Sequence, residues 1–261
     1  MSLKEAALNY HIGGKIDIAP SKPMNSAYDL ALAYSPGVAE PCLAIAKNNE
    51  LSFTYTNRAN LVAVVSDGSA VLGLGDIGAR ASKPVMEGKA CLFKKFANVN
   101  AYDIEVDAHS VEEIVAFCKA LVPTVGGINL EDIAAPKCFE IEAALQNIGI
   151  PVMHDDQHGT AIISSAGLIN AMDISGKKIK DIKVVISGAG AAGIACARMY
   201  RNLGVEHIVL LDSRGVVSTE RTDLNKYKEE FAIKTKDKTL KDAMRGADMF
   251  LGLSKPKILT D

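Results

Sequence analysis

Apolar residues in this chain collect into short runs separated by longer stretches of helical periodicity. The runs 61–65, 102–106, 125–130, 150–154, 183–187, 208–211 and 249–253 have strand length and are enriched in β-branched residues. The clearest helix signal begins at Ser110, where Ser-Val-Glu-Glu113 is a capping box. Val111, Ile114, Val115, Cys118, Leu121 and Val122 then share one face. Strand and helix alternate from about residue 60 onward, which predicts an α/β chain with parallel sheets. The polar stretch 173–181 (DISGKKIKD) interrupts this alternation and predicts a boundary near residue 176. The expected plan is an N-terminal α/β domain over 1–175 and a second βαβ domain over 176–261.

Composition narrows the partners. A length of 261 residues with 48% apolar content suits two domains with substantial cores. The net charge of −2, without a block of like charges, points to a small-molecule substrate and away from nucleic acid or an anionic membrane surface. No apolar run approaches the roughly 20 residues of a membrane span, and the N-terminus lacks a signal-peptide pattern, so a cytoplasmic location is expected. Five cysteines without any C-x-x-C pair read as core residues.

The pattern G-x-G-x-x-G occurs at Gly73, Gly75 and Gly78 and again at Gly188, Gly190 and Gly193. The second copy follows the 183–187 run, opens a helix-forming stretch and is succeeded by the 208–211 run ending at Asp212. That order places a dinucleotide pyrophosphate at a helix N-terminus and an acid on the ribose, the plan of a Rossmann domain. Asp212 by itself suits NAD, whereas Arg214 beside it offers a charge for a 2′-phosphate, and both cofactors stay open. The first copy lacks the context: with a helix expected only from Pro84, it reads as tight turns.

Two acidic pairs, Glu131-Asp132 and Asp155-Asp156, each follow a strand run. Ligands in open α/β sheets lie beyond the carboxyl ends of strands, and clustered carboxylates without thiolates suit Mg²⁺ or Mn²⁺. The alternative for Asp155 or Asp156 is a cap on a helix starting near Thr160. On the helix expected from Pro84, Lys89 falls amid Val85, Leu92, Phe93 and Phe96, so it either snorkels or sits in a partly dry site where it could exchange a proton, the second being the functional reading. Tyr34 precedes a turn and is read first as a core tyrosine, with a phenolic acid as the other possibility.

Taken in order, Ala33-Tyr-Ser-Pro-Gly-Val38, Ser66-Asp-Gly-Ser-Ala-Val-Leu-Gly-Leu-Gly-Asp-Ile-Gly78, Glu87-Gly-Lys-Ala90, Asn129-Leu-Glu-Asp132, His154-Asp-Asp-Gln-His-Gly-Thr160 and Leu211-Asp-Ser-Arg-Gly215 resemble malic enzyme of the bacterial branch. The resemblance implies metal-dependent oxidative decarboxylation of (S)-malate to pyruvate and CO₂ with NADP or NAD, leaning to NADP. It further implies Glu131, Asp132 and Asp156 as ligands of Mg²⁺ or Mn²⁺, Lys89 as base with Asp155 in its proton network, Tyr34 as acid, and a homodimer or higher oligomer. Two features depart from the family pattern. Ala70 stands where larger relatives carry a substrate-binding arginine, which leaves Arg80 or the metal and backbone amides to hold a carboxylate. The chain also ends at Asp261 shortly after the 249–253 run, so an incomplete dinucleotide domain is expected. A non-decarboxylating amino-acid or 2-hydroxy-acid dehydrogenase, and a fragment that binds metal without turnover, are the alternatives.

Overall fold

A computed structural model describes residues 2–71 and 73–259. Contacts divide the chain into two compact units. The first comprises Met1–Gly68, Ile77–Asn129 and Leu145–Val152; the second comprises Ser69–Asp76, Leu130–Ala144 and Met153–Asp261.

The first unit starts with helices α1 (Leu3–Tyr10), α2 (Ala27–Ala33), α3 (Ala39–Lys47) and α4 (Ser52–Tyr55), none of which contains a buried residue. Ser2 and Ser26 close capping boxes on α1 and α2, so local hydrogen bonds start these helices without help from a core. Apolar side chains of these helices, Leu8, Tyr10 and Tyr28 among them, are exposed, as are Ile12 and Ile18 between α1 and α2.

A parallel sheet follows, with strands β1 (Leu61–Ser66), β2 (Asn100–Glu105), β3 (Gly127–Leu130) and β4 (Val152–His154) in the order β2-β1-β3-β4. The last residues of β3 and β4 are counted with the second unit. Helix α5 (Gly78–Ala97) joins β1 to β2 and packs on both. It begins six residues before Pro84, the start that the sequence suggested. Proline removes one i→i−4 bond from the helix, and burial of Ser82, Met86 and Ala90 on the inner face outweighs that loss. Helix α6 (Val111–Leu121) carries the expected capping box of Ser110 and Glu113 and buries Ile114 and Cys118.

Arg58 ties this unit together. Its guanidinium donates to the carbonyls of Val122 and Val125 and lies 4.1 Å over the Phe53 ring. A Cβ on Gly126 would stand 2.4 Å from the Arg58 carbonyl, so only glycine lets the two backbones meet before β3.

The second unit contains α7 (Lys137–Ala144), α8 (Asp155–Ser175) and a sheet of the order β7-β6-β5-β8. Its strands are β5 (Lys183–Ser187), β6 (His207–Asp212), β7 (Gly215–Val216) and β8 (Met249–Gly252). Strand β5 pairs in parallel with both β6 and β8, and β7 returns antiparallel to β6. Helix α9 (Ala191–Asn202) follows β5 and packs against α8, while α10 (Lys226–Glu229) and α11 (Leu240–Ala243) are single turns. Val184, Val185, Ile186 and Leu210 are fully buried, as expected for central parallel strands. The β5–α9–β6 order is that of a Rossmann-type nucleotide-binding fold. No described helix is long and apolar enough to cross a membrane.

Candidate functional site: a carboxylate cluster and a glycine loop

The carboxylates sit at the carboxyl ends of neighbouring strands. Glu131 and Asp132 follow β3 directly, and Asp155 and Asp156 open α8 directly after β4. The helix thus starts five residues before Thr160, and His154 at its N-cap makes no side-chain cap bond, so neither acid is a cap in the sense the sequence allowed. One oxygen from each of Glu131, Asp132 and Asp156 lies within 4.8 Å of the others, and Glu131 and Asp132 are buried.

Backbone geometry fixes this convergence. Asp132 adopts φ +53°, a left-handed conformation uncommon outside glycine, and its N–H donates to Asp156 Oδ2 at 2.9 Å. The Asp132 carbonyl accepts from the Ala70 N–H at 2.9 Å, and Ser69 Oγ accepts from the Ala134 N–H. Three anionic oxygens this close, two of them shielded from water, repel one another unless a cation is present. An all-oxygen donor set of this kind fits a hard divalent ion such as Mg²⁺ or Mn²⁺.

Tandem acids point apart because successive helical residues turn by about 100°. Asp156 reaches the cluster, whereas Asp155 folds back along its own helix. A Cβ on Gly159 would lie 2.3 Å from Asp155 Oδ1, so the carboxylate occupies the space that any larger residue there would take.

Behind the cluster, Glu142 of α7 is buried and accepts from the His154 N–H at 2.9 Å, from Gln157 Nε2 at 3.2 Å and from His158 Nε2 at 2.8 Å. Burial pushes the Glu142 carboxyl up, but the hydrogen bond from His158 and the neighbouring charges prevail and hold it below its ordinary range. The same bond holds the His158 imidazole above its ordinary value. Burial pushes His154 down, against the pull of Asp156 and Glu142. It also drives the thiol of Cys138 up to about 12, so that residue is inert.

In the first unit, Lys89 is half-buried at the edge of the inner face of α5. The apolar residues expected around it are not core: Val85 and Leu92 are exposed and Phe96 is 81% exposed. Tyr34 ends α2 and is 76% exposed, so the core reading of this tyrosine does not hold.

Of the glycine motifs, the second forms the loop between β5 and α9. Gly188 takes φ +126° and donates to the Leu211 carbonyl, and Gly190 leaves the N-terminus of α9 without a side-chain cap. A Cβ on Gly193 would stand 1.7 Å from the Gly188 carbonyl oxygen, which makes glycine obligatory there. The uncapped helix end faces a cavity of about 610 Å³ lined by Gly188, Gly190, Asp212, Asn225 and Lys228 among others. The first motif forms turns: Val71 and Gly75 exchange both backbone hydrogen bonds, and Gly78 opens α5 directly.

Asp212 is clamped. Arg221 donates to both carboxylate oxygens at 2.8 and 3.0 Å, Lys228 Nζ lies 2.6 Å away, and the Arg214 N–H caps Oδ1. The Arg214 guanidinium turns instead to Asp223. Arg221 and Lys228 were invisible as partners in the sequence, since they come from a loop and a short helix nine and sixteen residues beyond Asp212. Burial alone would raise the Asp212 pKa, but the hydrogen bonds from Arg221 and Lys228 bring it to about 2. A depressed carboxyl stabilises the fold above its unfolded pKa near 3.8 and loses that contribution as the pH falls through about 2. Asp212→Asn is therefore expected to cost on the order of 2 kcal/mol at pH 7. In urea unfolding, the gap between parent and variant should be narrower at pH 3 than at pH 7; a gap of constant width would contradict this assignment.

Comparison with known proteins places these features. Residues 13–146 match the family model for the malic enzyme N-terminal domain, and residues 157–260 match that for the malic enzyme NAD-binding domain. The NADP-dependent malic enzyme of Halomonas elongata is 53% identical over 99% of this chain and 63% of its own length. That of Escherichia coli is 52% identical over 99% of this chain and 35% of its own length. The crystal structure of the NAD-dependent malic enzyme of Thermotoga maritima superimposes with a TM-score of 0.92 at 44% identity, covering all of this chain and 70% of that one. The chain thus spans between about a third and two thirds of the length of these curated relatives.

Proposed function

Since the chain belongs to the malic enzyme family, we propose that it takes part in oxidative decarboxylation of (S)-malate to pyruvate and CO₂ with reduction of NAD(P)⁺. The observation that carries this reading is the convergence of Glu131, Asp132 and Asp156 at the ends of β3 and β4, because simple hydroxy-acid dehydrogenases need no such cation cage. These three residues would hold Mg²⁺ or Mn²⁺, which when bound supplies Lewis-acid stabilisation of the oxygen on C2 as charge grows there.

The chain's own residues manage the protons. Lys89 would take the proton of the C2 hydroxyl, a nicotinamide when bound would supply the hydride acceptor, and Asp155 is the residue that the family resemblance assigns to the same proton transfer. Loss of CO₂ would leave an enolate whose C3 is protonated by Tyr34, so one proton is removed and one returned. A phenol that must protonate carbon works best away from bulk water. A second copy of this chain, covering the exposed face of α1–α3 together with Tyr34 at the end of α2, would provide that shelter and account for the apolar side chains displayed there.

Gly188, Gly190 and Gly193 shape the pyrophosphate seat, with the α9 N-terminus as its electrostatic partner. The clamp on Asp212 favours NADP⁺. Among the described residues, Arg214, Arg221 and Lys228 form ion pairs with two carboxylates, Asp212 and Asp223, so a 2′-phosphate meets a surplus positive charge, and Lys228 itself lines the cavity.

The test is absorbance at 340 nm with (S)-malate, NADP⁺ or NAD⁺, and Mn²⁺ present or chelated, with pyruvate assayed as product. Mn²⁺-dependent reduction accompanied by pyruvate, faster with NADP⁺, is expected. Reduction that survives chelation, or that yields oxaloacetate as the final product, would remove the decarboxylating reading.

A further inference from the structure

His154 is the residue at this site for which the proposed chemistry has no role. It is the last residue of β4, has no solvent-accessible surface, and neither ring nitrogen has a hydrogen-bond partner among the described residues. Buried polar atoms in folded proteins are nearly always paired, and an unpaired one costs about 1–3 kcal/mol. A leucine would fill the same place without that cost.

The ring's surroundings indicate what the nitrogen is for. Nε2 lies 3.3 Å from Asp156 Oδ2, close enough to bond but misaligned in this conformation. The same oxygen already accepts the Asp132 N–H at 2.9 Å. The ring is carried on a fixed support, because the His154 N–H is anchored to Glu142 Oε1, which His158 also holds.

We infer that His154 is a positioning residue for the cation site: with a small turn of its ring, its Nε2–H becomes the second donor to Asp156 Oδ2, and Oδ1 of that carboxylate is directed toward the ion. The inference rests on the proposed cation site. The physical gain is orientation. A carboxylate with a single donor pivots about it, whereas one with two donors on the same oxygen presents the other oxygen in one direction.

The experiment is Mn²⁺ binding to the full chain, followed by electron paramagnetic resonance of the free ion, with neither substrate nor cofactor. His154→Leu keeps the volume and removes the donor. His154→Gln places an amide N–H close to where Nε2 stood. The leucine variant is expected to bind Mn²⁺ about 10-fold or more weakly, the range of outer-shell partners, while its melting temperature is no lower than the parent's. The glutamine variant is expected to stay within about threefold of the parent. If the leucine variant does not fold, His154→Asn, whose amide is too short to reach Oδ2, should show the same loss. Parent-like Mn²⁺ binding by the leucine variant would overturn the inference alone, as would a glutamine variant no better than leucine. Absence of Mn²⁺ binding by the parent would overturn the inference and the cation site together.

Discussion

Asp156→Asn is expected to weaken Mn²⁺ binding by more than the roughly 10–100-fold that removal of an outer partner costs, because it removes a ligand's charge. Asparagine retains an oxygen to accept the Asp132 N–H, so the fold around the site should persist. Without metal, the variant should be at least as stable as the parent, since one of three clustered like charges has gone. The two readouts therefore move in opposite directions: metal affinity falls, and resistance to urea in the presence of a chelator holds or rises. A variant that loses both would show that Asp156 acts mainly through the fold.

The second large effect concerns proton transfer. Lys89→Ala should lower the rate of malate-dependent NADP⁺ reduction by about 10²–10⁴-fold, the usual contribution of a positioned acid or base. Mn²⁺ binding should be untouched. Lys89→Arg separates charge from proton exchange, because a guanidinium stays protonated throughout the accessible pH range. Its rate should be as low as that of the alanine variant. An arginine variant with near-parent turnover would mean that position 89 supplies a positive charge and nothing more. Half-burial at the edge of α5 makes either change tolerable for folding.

Much of this architecture is legible from local pattern. The strand runs end within about two residues of the observed strands, since apolar β-branched segments flanked by glycine or charge have few other uses. Ser110 announces α6 because a capping box is complete within four residues of sequence. The acidic pairs were recognisable for a similar reason: each is adjacent to a strand end, and strand ends are where ligands sit.

What escaped the sequence depends on tertiary contact. Pro84 looked like a helix start, but the packing of Ser82, Met86 and Ala90 beneath α5 carries the helix through it. The same packing decides which face of α5 turns inward, which is why Val85, Leu92 and Phe96 are exposed although they form a stripe. A core reading of Tyr34 fails because the helix it ends has no core beneath it. Neutralisation of Asp212 by Arg221 and Lys228 needs a loop to fold back, and no periodicity records that. The order β2-β1-β3-β4 is likewise a property of crossovers and not of any one segment.

The left-handed turn at Asp132 has one further use. Its amide proton is held by the carboxylate of Asp156. Its exchange with deuterated water thus reports, without turnover or any label, whether that carboxylate is in place. A single amide becomes a gauge of how far the site is assembled, and lesions that disorder it can be told from those that only remove charge.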